Sequence, residues 1–580
     1  MMKRFLIPAL AFLVAVLACN KQDEQEQKKE FSPDATLKFH KEPVAAFDGE
    51  GGKVDLTFTA TGYWEVIISD KVKDWITVEP MSGDGSSSRQ RIVITAATNN
   101  EDAARSGRIT LTVGEQKQII PVSQDESVIT IKPEDVPNLD KIYIPQEWRS
   151  MDLYKSDSNW SFIRSRQSDH FIVFWGKGYG SHGTPTPSQA TNAAYRVDID
   201  DLLAKAEEFY QLNINKLKFA EENKSVVSKY KMIICLNYAS GWLATGSGYD
   251  NKIGALWVNP SSCQPVGSTI GHEIGHTFQY MVYCDYLLNN PSAKDDSHGP
   301  GWRYGYGPNG DGGNAFWEQT AQWQSFQIEK YRAEAFYGWY GDFPRSMHLH
   351  VLHERPRYAN YFIHWWWVEQ NDITFIGRLW REANYPEDPV ETYMRIMGYD
   401  VAAMNDSMWG YAAHMTTYDT DEIRSYGSGH IGDLATTSIS KSGDWWAINA
   451  SVAPESTGSN VIRISVTPGS GVSVTLASNL GIEGCVSGNA SKAGWRYGFV
   501  SLNSDNTRTY SPCWKATDTA QTWTGPSNAS KVWFVVTAAP AEYERHPWGS
   551  GGPDNDNEGD SLDAKWPWKA QFENTKPYGK

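Results

Sequence analysis

The stretch "STIGHEIGHTFQY", residues 268–280, decides the fold of the central part of the chain. It places His272 and His276 four residues apart, with Glu273 beside the first histidine. Residues i and i+4 of an α-helix lie on one face, so both imidazoles can reach one tetrahedral ion. A carboxylate beside the open coordination position can take a proton from an attacking water and later pass it to a leaving amine. The stretch therefore predicts a catalytic zinc site.

A catalytic zinc site needs a third protein ligand, and the residues behind the motif exclude one class of them. A third histidine close behind the motif would come with Gly at position 279 and His at position 282, but the chain has Gln279 and Val282. The third ligand is then expected on a later helix. Glu318 in "NAFWEQTAQW" is the preferred candidate, because Ala321 is small enough to let that helix lie close beneath the first.

Other residues remain alternatives for this site. His298 and Glu329 are rival third ligands, but the first lies in a Gly- and Pro-rich stretch typical of a loop and the second is expected on a solvated helix face. An oxyanion partner is expected opposite the metal. Its candidates in "RYANYFIHWW" are Tyr358, Tyr361 and His364, although three consecutive Trp favour a core helix.

A second histidine group occurs in "DFPRSMHLHVLHERPR", which holds His348, His350 and His353. Their spacing could suit a metal. No carboxylate or Cys partner can be assigned to them from the sequence, so the stretch predicts a loop.

The patterns around the motif predict an α+β domain over residues 146–430. "HFIVFW" and "YKMIICL" are typical of buried strands, and a helical pattern beginning near Ile199 lies between them. "GALWVNP" is expected to be the edge strand, and helical patterns such as "FIGRLWREA" and "PVETYMRIMG" follow the motif. Strand, helix, strand, edge strand and active helix is the order expected of a zincin metallopeptidase.

The sequence patterns predict β-strands on both sides of the α+β domain. "KVDLTFTA", "RIVITA" and "GRITLTV" alternate apolar and polar residues and predict an immunoglobulin-like β-sandwich over residues 35–126, followed by a linker at 127–145. "NVIRISVTP", "VSVTLAS", "WRYGFVSLN" and "KVWFVVTAA" predict a second β-sandwich over residues 431–580. Cys485 and Cys513 lie in it and are the predicted disulfide of an exported chain.

The N-terminus predicts export. Lys3 and Arg4 precede an apolar run from Phe5 to Leu17, which is too short to span a membrane stably, and "VLAC" ends at Cys19. Residues 1–19 resemble a bacterial lipoprotein signal with Cys19 as the lipidated residue. Residues 20–34 are polar and charged and predict a flexible tether, whose acidic beginning resembles the surface-export signals of Bacteroidetes lipoproteins.

Composition sets bounds on the whole chain. Its 580 residues suggest three or four domains, and its formal net charge of -16 comes without a basic block, which excludes a nucleic-acid footprint. Aromatic residues make up 13% and Trp occurs 25 times, which fits either large aromatic cores or flat faces that hold sugars or extended polymers.

Two regions of the chain each resemble a known family. "GYWEVIIS", "WITVEPMSGDG" and "IPVSQ" resemble a BACON domain, a Bacteroidetes-associated carbohydrate-binding module, which implies a glycan binder or a spacer. "GHEIGHTFQ", "FWEQTAQW" and "YANYFIHWWW" resemble a family of secreted bacterial proteins with a gluzincin-like core, catalogued as a domain of unknown function. That resemblance implies zinc ligation by His272, His276 and Glu318, with Glu273 as the base. Mucin-directed gut peptidases are a more distant comparison, and their glutamate soon after the second histidine has no counterpart in "HTFQYMVYCD".

These patterns predict a zinc-dependent endopeptidase that acts on a protein or glycoprotein from an outer-membrane lipoprotein tether at the cell surface, with glycan as a further ligand of the N-terminal module. The alternative is a carbohydrate- or glycoprotein-binding surface lipoprotein whose zincin fold has lost catalysis. The intact Glu273 argues against it, since an inactive scaffold needs no base. A glycosidase is a third hypothesis, but no pair of carboxylates can be assigned to it.

Overall fold

The computed structural model describes residues 32–101, 103–180, 183–186, 192–296, 298–303, 315–546 and 563–580. The chain divides into two compact units, Met1–Ser127 and Val128–Lys580. The predicted signal peptide, its lipidation site Cys19 and most of the predicted tether lie outside the described residues. No helix in the described part of the chain is long and apolar enough to cross a membrane.

The first unit is a β-sandwich whose two sheets share one apolar core. One sheet has the order β1-β3-β7-β5 and the other β2-β9-β8-β4-β6. Alternation positions the core side chains, as in β7, where Ile92 and Ile94 are fully buried. The strands are β1 (Leu37–Phe39), β2 (Ala45–Phe47), β3 (Gly52–Ala60), β4 (Trp64–Ile68), β5 (Ile76–Glu79), β6 (Ser82–Gly83), β7 (Ser86–Ala96), β8 (Arg105–Val113) and β9 (Gln116–Gln124).

The segment predicted as a linker, residues 127–145, is instead folded into the second unit from Val128 onward. Val136 and Ile142 are buried in the main core of that unit, and short 3-10 turns carry the chain between them. The prediction was wrong because these buried residues are too widely spaced to show a strand or helix period.

A five-stranded mixed sheet begins the second unit, in the order β10-β11-β12-β14-β13. β11, β12 and β14 run parallel, and β13 pairs antiparallel with β14 at the edge. "GALWV" is therefore an interior strand, and the prediction of an edge strand there was wrong. The strands are β10 (Ser165–Gln167), β11 (Phe171–Trp175), β12 (Met232–Leu236), β13 (Ala244–Tyr249) and β14 (Ile253–Val258), and the helices beside them are α1 (Ile199–Gln211) and α2 (Ser268–Asn289).

The true edge strand, β13, packs directly on α2, the helix of the HEIGH motif. A Cβ atom at Gly246 would lie 2.1 Å from the carbonyl oxygen of Glu273 and 2.9 Å from the Cβ of His276. Only glycine permits this approach. The sequence "ATGSGY" has no apolar alternation for the same reason, so the feature that brings the strand to the motif also hides it from pattern reading.

A helical region follows, and the C-terminal strands pack on it within the same unit. The helix predicted through Glu329 ends earlier, at Ser325, and Glu329 begins a separate short helix. The helices are α3 (Ala315–Ser325), α4 (Glu329–Arg332), α5 (Phe343–Ser346), α6 (Phe362–Glu369), α7 (Phe375–Arg381), α8 (Pro389–Met397), α9 (Val401–Met415) and α10 (Arg424–Gly427).

The C-terminal strands form two sheets around a shared core, in the orders β15-β16-β23-β18-β21 and β20-β19-β22-β17-β24. The indole of Trp409 on α9 donates a hydrogen bond to the carbonyl of Val535 on β22, 3.3 Å away. The strands are β15 (Ile439–Ser442), β16 (Trp445–Ile448), β17 (Ser459–Ser465), β18 (Gly471–Ser478), β19 (Trp495–Asn503), β20 (Arg508–Tyr510), β21 (Gln521–Thr524), β22 (Ala529–Ala538), β23 (Trp568–Glu573) and β24 (Lys576–Pro577).

The predicted disulfide is absent, since Cys485 and Cys513 both carry free thiols. Cys485 lies in the connection after β18, whereas Cys513 follows β20, which belongs to the other sheet. Burial raises the pKa of the Cys513 thiol to about 12, so it is not a reactive thiolate at neutral pH. Sequence separation alone could not show that the two residues follow strands of different sheets.

Candidate metal centre

Three side chains from α2 and α3 converge on one point. The Nε2 atoms of His272 and His276 are 3.0 Å apart, and the Oε2 atom of Glu318 lies 3.0 Å from the first and 3.3 Å from the second. Metal–ligand bonds of about 2.0–2.1 Å in tetrahedral geometry place neighbouring ligand atoms about 3.3 Å apart. The triangle therefore has the size that a zinc ion requires.

Close packing of α3 on α2 delivers Glu318 to the histidines. A Cβ atom at Gly275 would lie 3.2 Å from the Cα of Ala321 and 2.8 Å from the Oε1 of Gln324. Glycine on one helix and alanine on the other therefore let the two backbones approach, as the sequence predicted for Ala321.

A chain of amides fixes the proton on His276. The Nε2 of Gln279 donates to the carbonyl of Trp317 and to the Oε1 of Gln324, each at 3.1 Å, so the Oε1 of Gln279 must face the ring. That oxygen accepts a hydrogen bond from Nδ1 of His276 at 2.9 Å. With the proton on Nδ1, Nε2 can present a lone pair to a metal. The residues therefore fit a zinc ion in chemistry as well as in size.

The electrostatics of the metal-free triangle favour a positive charge. Burial lowers the pKa of His276, but the charge of Glu318 and a hydrogen bond to it outweigh burial and raise that pKa to about 9. Burial likewise raises the pKa of Glu318, but the two histidines hold it well below its usual value. A site that attracts a proton in this way also attracts a divalent cation, which competes for the same lone pairs.

Glu273, the predicted base, is buried beside the triangle. Burial raises the pKa of its carboxyl, while the charges of the two histidines and a hydrogen bond from the backbone N–H of Gly246 lower it, and the net shift is upward. The edge strand therefore influences the protonation of the predicted base as well as covering the motif helix.

Tyr358 is the oxyanion candidate that lies at the site. Its ring centroid is 6.3 Å from that of His272. Burial and the charge of Glu318 raise its pKa to about 12, so the hydroxyl stays a donor at neutral pH. Tyr361 donates to the carbonyl of Ala335 instead.

The remaining alternatives lie away from the triangle. His364 is fully buried in the core, with Nε2 2.9 Å from the hydroxyl of Thr320. His298 packs on Tyr385 and pairs with Asp296 at 3.4 Å. Glu329 is exposed at the start of α4.

The triangle opens into a cleft of about 930 Å³. Thr245, Gly246 and Ser247 of the edge strand line it, and so do aromatic residues that the sequence patterns did not single out, among them Trp242, Trp317 and Trp339. This volume is ample for several residues of an extended chain.

A second buried group joins His353, His546 and Asp563, whose ligand atoms lie within 4.8 Å of one another. Nδ1 of His546 donates to Asp563 at 2.9 Å, and Nε2 of His353 lies 4.0 Å from the other oxygen of that carboxylate. The sequence singled out His353 but not its partners, which follow it by about two hundred residues.

The proton positions in this second group do not suit a metal. The backbone N–H of Arg355 donates to Nδ1 of His353 at 3.1 Å, so the proton of that ring must be on Nε2, the atom that faces Asp563. A metal would need a lone pair there. A cation is already close by, since Lys565 lies 3.8 Å from the carboxylate of Glu455, whose pKa is raised by burial and by the charge of Asp563.

Comparisons with known proteins place this chain among families without giving it an activity. No curated protein matches it. Similar solved structures include a GH5 xyloglucanase of Bacteroides ovatus in complex with a XXXG heptasaccharide, at 14% identity over 43% of this chain and 62% of that chain with a TM-score of 0.15. A protein from Bacteroides thetaiotaomicron has 16% identity over 19% of this chain and 97% of its own, with a TM-score of 0.12.

Family models cover both units. Residues 64–125 match the BACON model, described as an N-terminal binding domain, which confirms that resemblance. Residues 134–579 match the model of the family of unknown function DUF6055, so the chain belongs to that family.

Proposed function

We propose that the protein is a zinc-dependent endopeptidase of the gluzincin type, which acts on proteins or glycoproteins outside the cell. The observation that carries this proposal is the triangle of His272, His276 and Glu318, with edges of 3.0 to 3.3 Å, next to the buried carboxylate of Glu273. A zincin fold, with a mixed sheet above the motif helix and helices below it, is part of the proposal. When bound, zinc would polarise the scissile carbonyl and acidify the attacking water.

The chain's own residues supply the proton transfers. Glu273 accepts the proton of the attacking water and donates it to the leaving amine, and its raised pKa suits a group that must release the proton again. The protonated hydroxyl of Tyr358 donates to the oxygen on which negative charge develops. β13 is the last strand of its sheet and lines the cleft, so an extended peptide would align along its outer side.

Glu273→Gln tests the proposal, because an amide keeps the shape of the side chain but cannot accept the proton. We expect zinc content near that of the wild type and hydrolysis lower by a factor on the order of 100 to 10,000. Metal analysis and digestion of glycosylated and unglycosylated protein mixtures measure the two effects. A wild type that holds zinc and cleaves neither mixture, yet is retained on a mucin column, would favour the binding-protein alternative.

The location is a separate part of the proposal and rests on the N-terminal sequence. Cys19 would carry the lipid and anchor the chain to the outer membrane, facing outward. We expect Cys19→Ala to release soluble protein into the periplasm or medium. Protease treatment of intact cells that leaves the wild-type protein untouched would contradict surface exposure.

A further inference from the structure

Two tryptophans on the cleft are unusually exposed. Trp242 is 69% exposed and Trp339 is 55% exposed, and among the described residues no other tryptophan is classed as exposed. Most other described tryptophans are buried in cores. Large apolar rings kept in solvent at one place mark a binding surface rather than a packing defect.

The two rings reach the cleft from different parts of the fold. Trp242 lies on the loop that leads into β13, on the sheet side. Trp339 lies on the 3-10 turn of residues Gly338–Asp342, on the helical side, and Tyr337 beside it is 68% exposed. Trp339 stacks on Tyr358 with centroids 5.1 Å apart and planes inclined by 24°, which gives its ring a fixed orientation next to the triangle.

The charges of the cleft restrict the ligand. Apart from the histidines, the ionisable side chains along the described lining are carboxylic acids and tyrosines, and neither Lys nor Arg is among these lining residues. Glu273, Glu318 and Glu334 supply the carboxylates, and Glu334 accepts a hydrogen bond from the hydroxyl of Ser268. The two positive charges of a bound zinc ion would offset Glu273 and Glu318, so Glu334 is the carboxylate of the lining that remains to repel an anionic ligand and to accept from hydroxyl donors.

We infer that Trp242 and Trp339 form a subsite for a neutral sugar carried by the peptide substrate. Exposed aromatic faces pack against the C–H faces of a sugar ring, and the neighbouring carboxylates and amides accept its hydroxyl protons. An apolar peptide side chain would be matched better by a closed, dry pocket than by rings that are more than half exposed among polar groups. This inference rests on the proposed peptidase function, whose substrate class it names.

The test uses the full chain carrying Glu273→Gln and loaded with zinc, which should bind substrate without consuming it. Calorimetry compares a threonine peptide bearing one N-acetylgalactosamine, the same peptide without sugar, and the same glycopeptide extended by sialic acid. We expect the neutral glycopeptide to bind at least about tenfold tighter than the other two. Trp242→Ala and Trp339→Ala should each remove most of that difference, whereas Trp339→Phe, which keeps a flat ring, should retain part of it.

The control is Tyr578→Ala, which removes an aromatic ring that is 57% exposed just after β24 and should leave the preference unchanged. Equal affinity for the neutral glycopeptide and the bare peptide would overturn the inference, and so would a sugar preference that survives both tryptophan substitutions. If wild type cleaves neither peptide while the tryptophan-dependent preference persists, the peptidase proposal fails and the sugar subsite stands. If wild type cleaves both peptides with equal kcat/KM and binds both equally, the subsite fails and the peptidase stands.

Discussion

The second unit buries two groups of two histidines and a carboxylate, and they differ in where the protons of the rings must be. In the first group, Gln279 accepts the Nδ1 proton of His276 and leaves Nε2 open toward Glu318. In the second, the N–H of Arg355 donates to Nδ1 of His353 and forces the proton onto Nε2. The residue types match, but Nε2 of His276 can offer a lone pair to a metal, whereas Nε2 of His353 cannot.

The two groups also differ in access. The first opens into the cleft, where the side chains of His272 and Glu318 are each 11% exposed. The second is closed, because His353, His546 and Asp563 are all buried, and Nδ1 of His546 donates to the carboxylate of Asp563 at 2.9 Å. A cluster of ligand-type residues is therefore a metal site only when the groups behind the rings set the right tautomer and a path to solvent exists.

Glu318→Ala should produce the largest change in zinc affinity. It reduces a three-ligand site to a two-ligand site, and zinc affinity should fall by several kcal/mol, or at least about 1,000-fold. Competition with a chelator of known affinity measures it. Glu329→Ala is the matched control, since that residue is exposed on the next helix and should leave affinity unchanged. The reverse pattern would place the third ligand on α4.

The ligand residues of the first group could be predicted from the sequence because they lie on only two helices, each with a recognisable pattern. The spacing of His272 and His276 and the small residues Gly275 and Ala321 are all visible in the helical pattern. The edge strand β13 was missed because its glycines, required by contact with α2, remove the apolar alternation. The second group was missed because β-sandwich topology, not local sequence, brings residue 546 to residue 353.

Zinc affinity at the first group should depend on pH. The pKa of His276 in the metal-free protein is raised from 6.5 to about 9, so below pH 9 zinc must displace a proton. Apparent affinity should rise about tenfold per pH unit up to pH 9 and then level off. The same proton stabilises the metal-free fold fully below pH 6.5, and this contribution is lost as the pH rises through 9. Calorimetry in buffers of different ionisation enthalpy counts the released proton, and an affinity that is flat from pH 7 to 9 would contradict a protonated His276.

Substitution of Gln279, which accepts the Nδ1 proton of His276, tests whether this contact sets the tautomer of that ring. Gln279→Met keeps the volume but leaves the Nδ1 proton of His276 without its acceptor, and zinc affinity should fall about 10- to 100-fold. Gln279→Glu restores an acceptor but loses the donor to Trp317 and Gln324. It should therefore recover zinc affinity and not thermal stability. Equal loss of affinity in both variants would show that Gln279 acts through packing alone.

A substitution in the second group should leave the zinc content unchanged. His546→Ala removes the donor to the buried carboxylate of Asp563, which should lower the free energy of unfolding by about 1–3 kcal/mol. Zinc content should remain one equivalent per chain, because the proton on Nε2 of His353 excludes a second ion. Metal analysis and denaturant unfolding of the same preparations measure both quantities. If the wild type holds two equivalents and His546→Ala holds one, the second group is a metal site, and the backbone donor at Arg355 does not control the tautomer of His353.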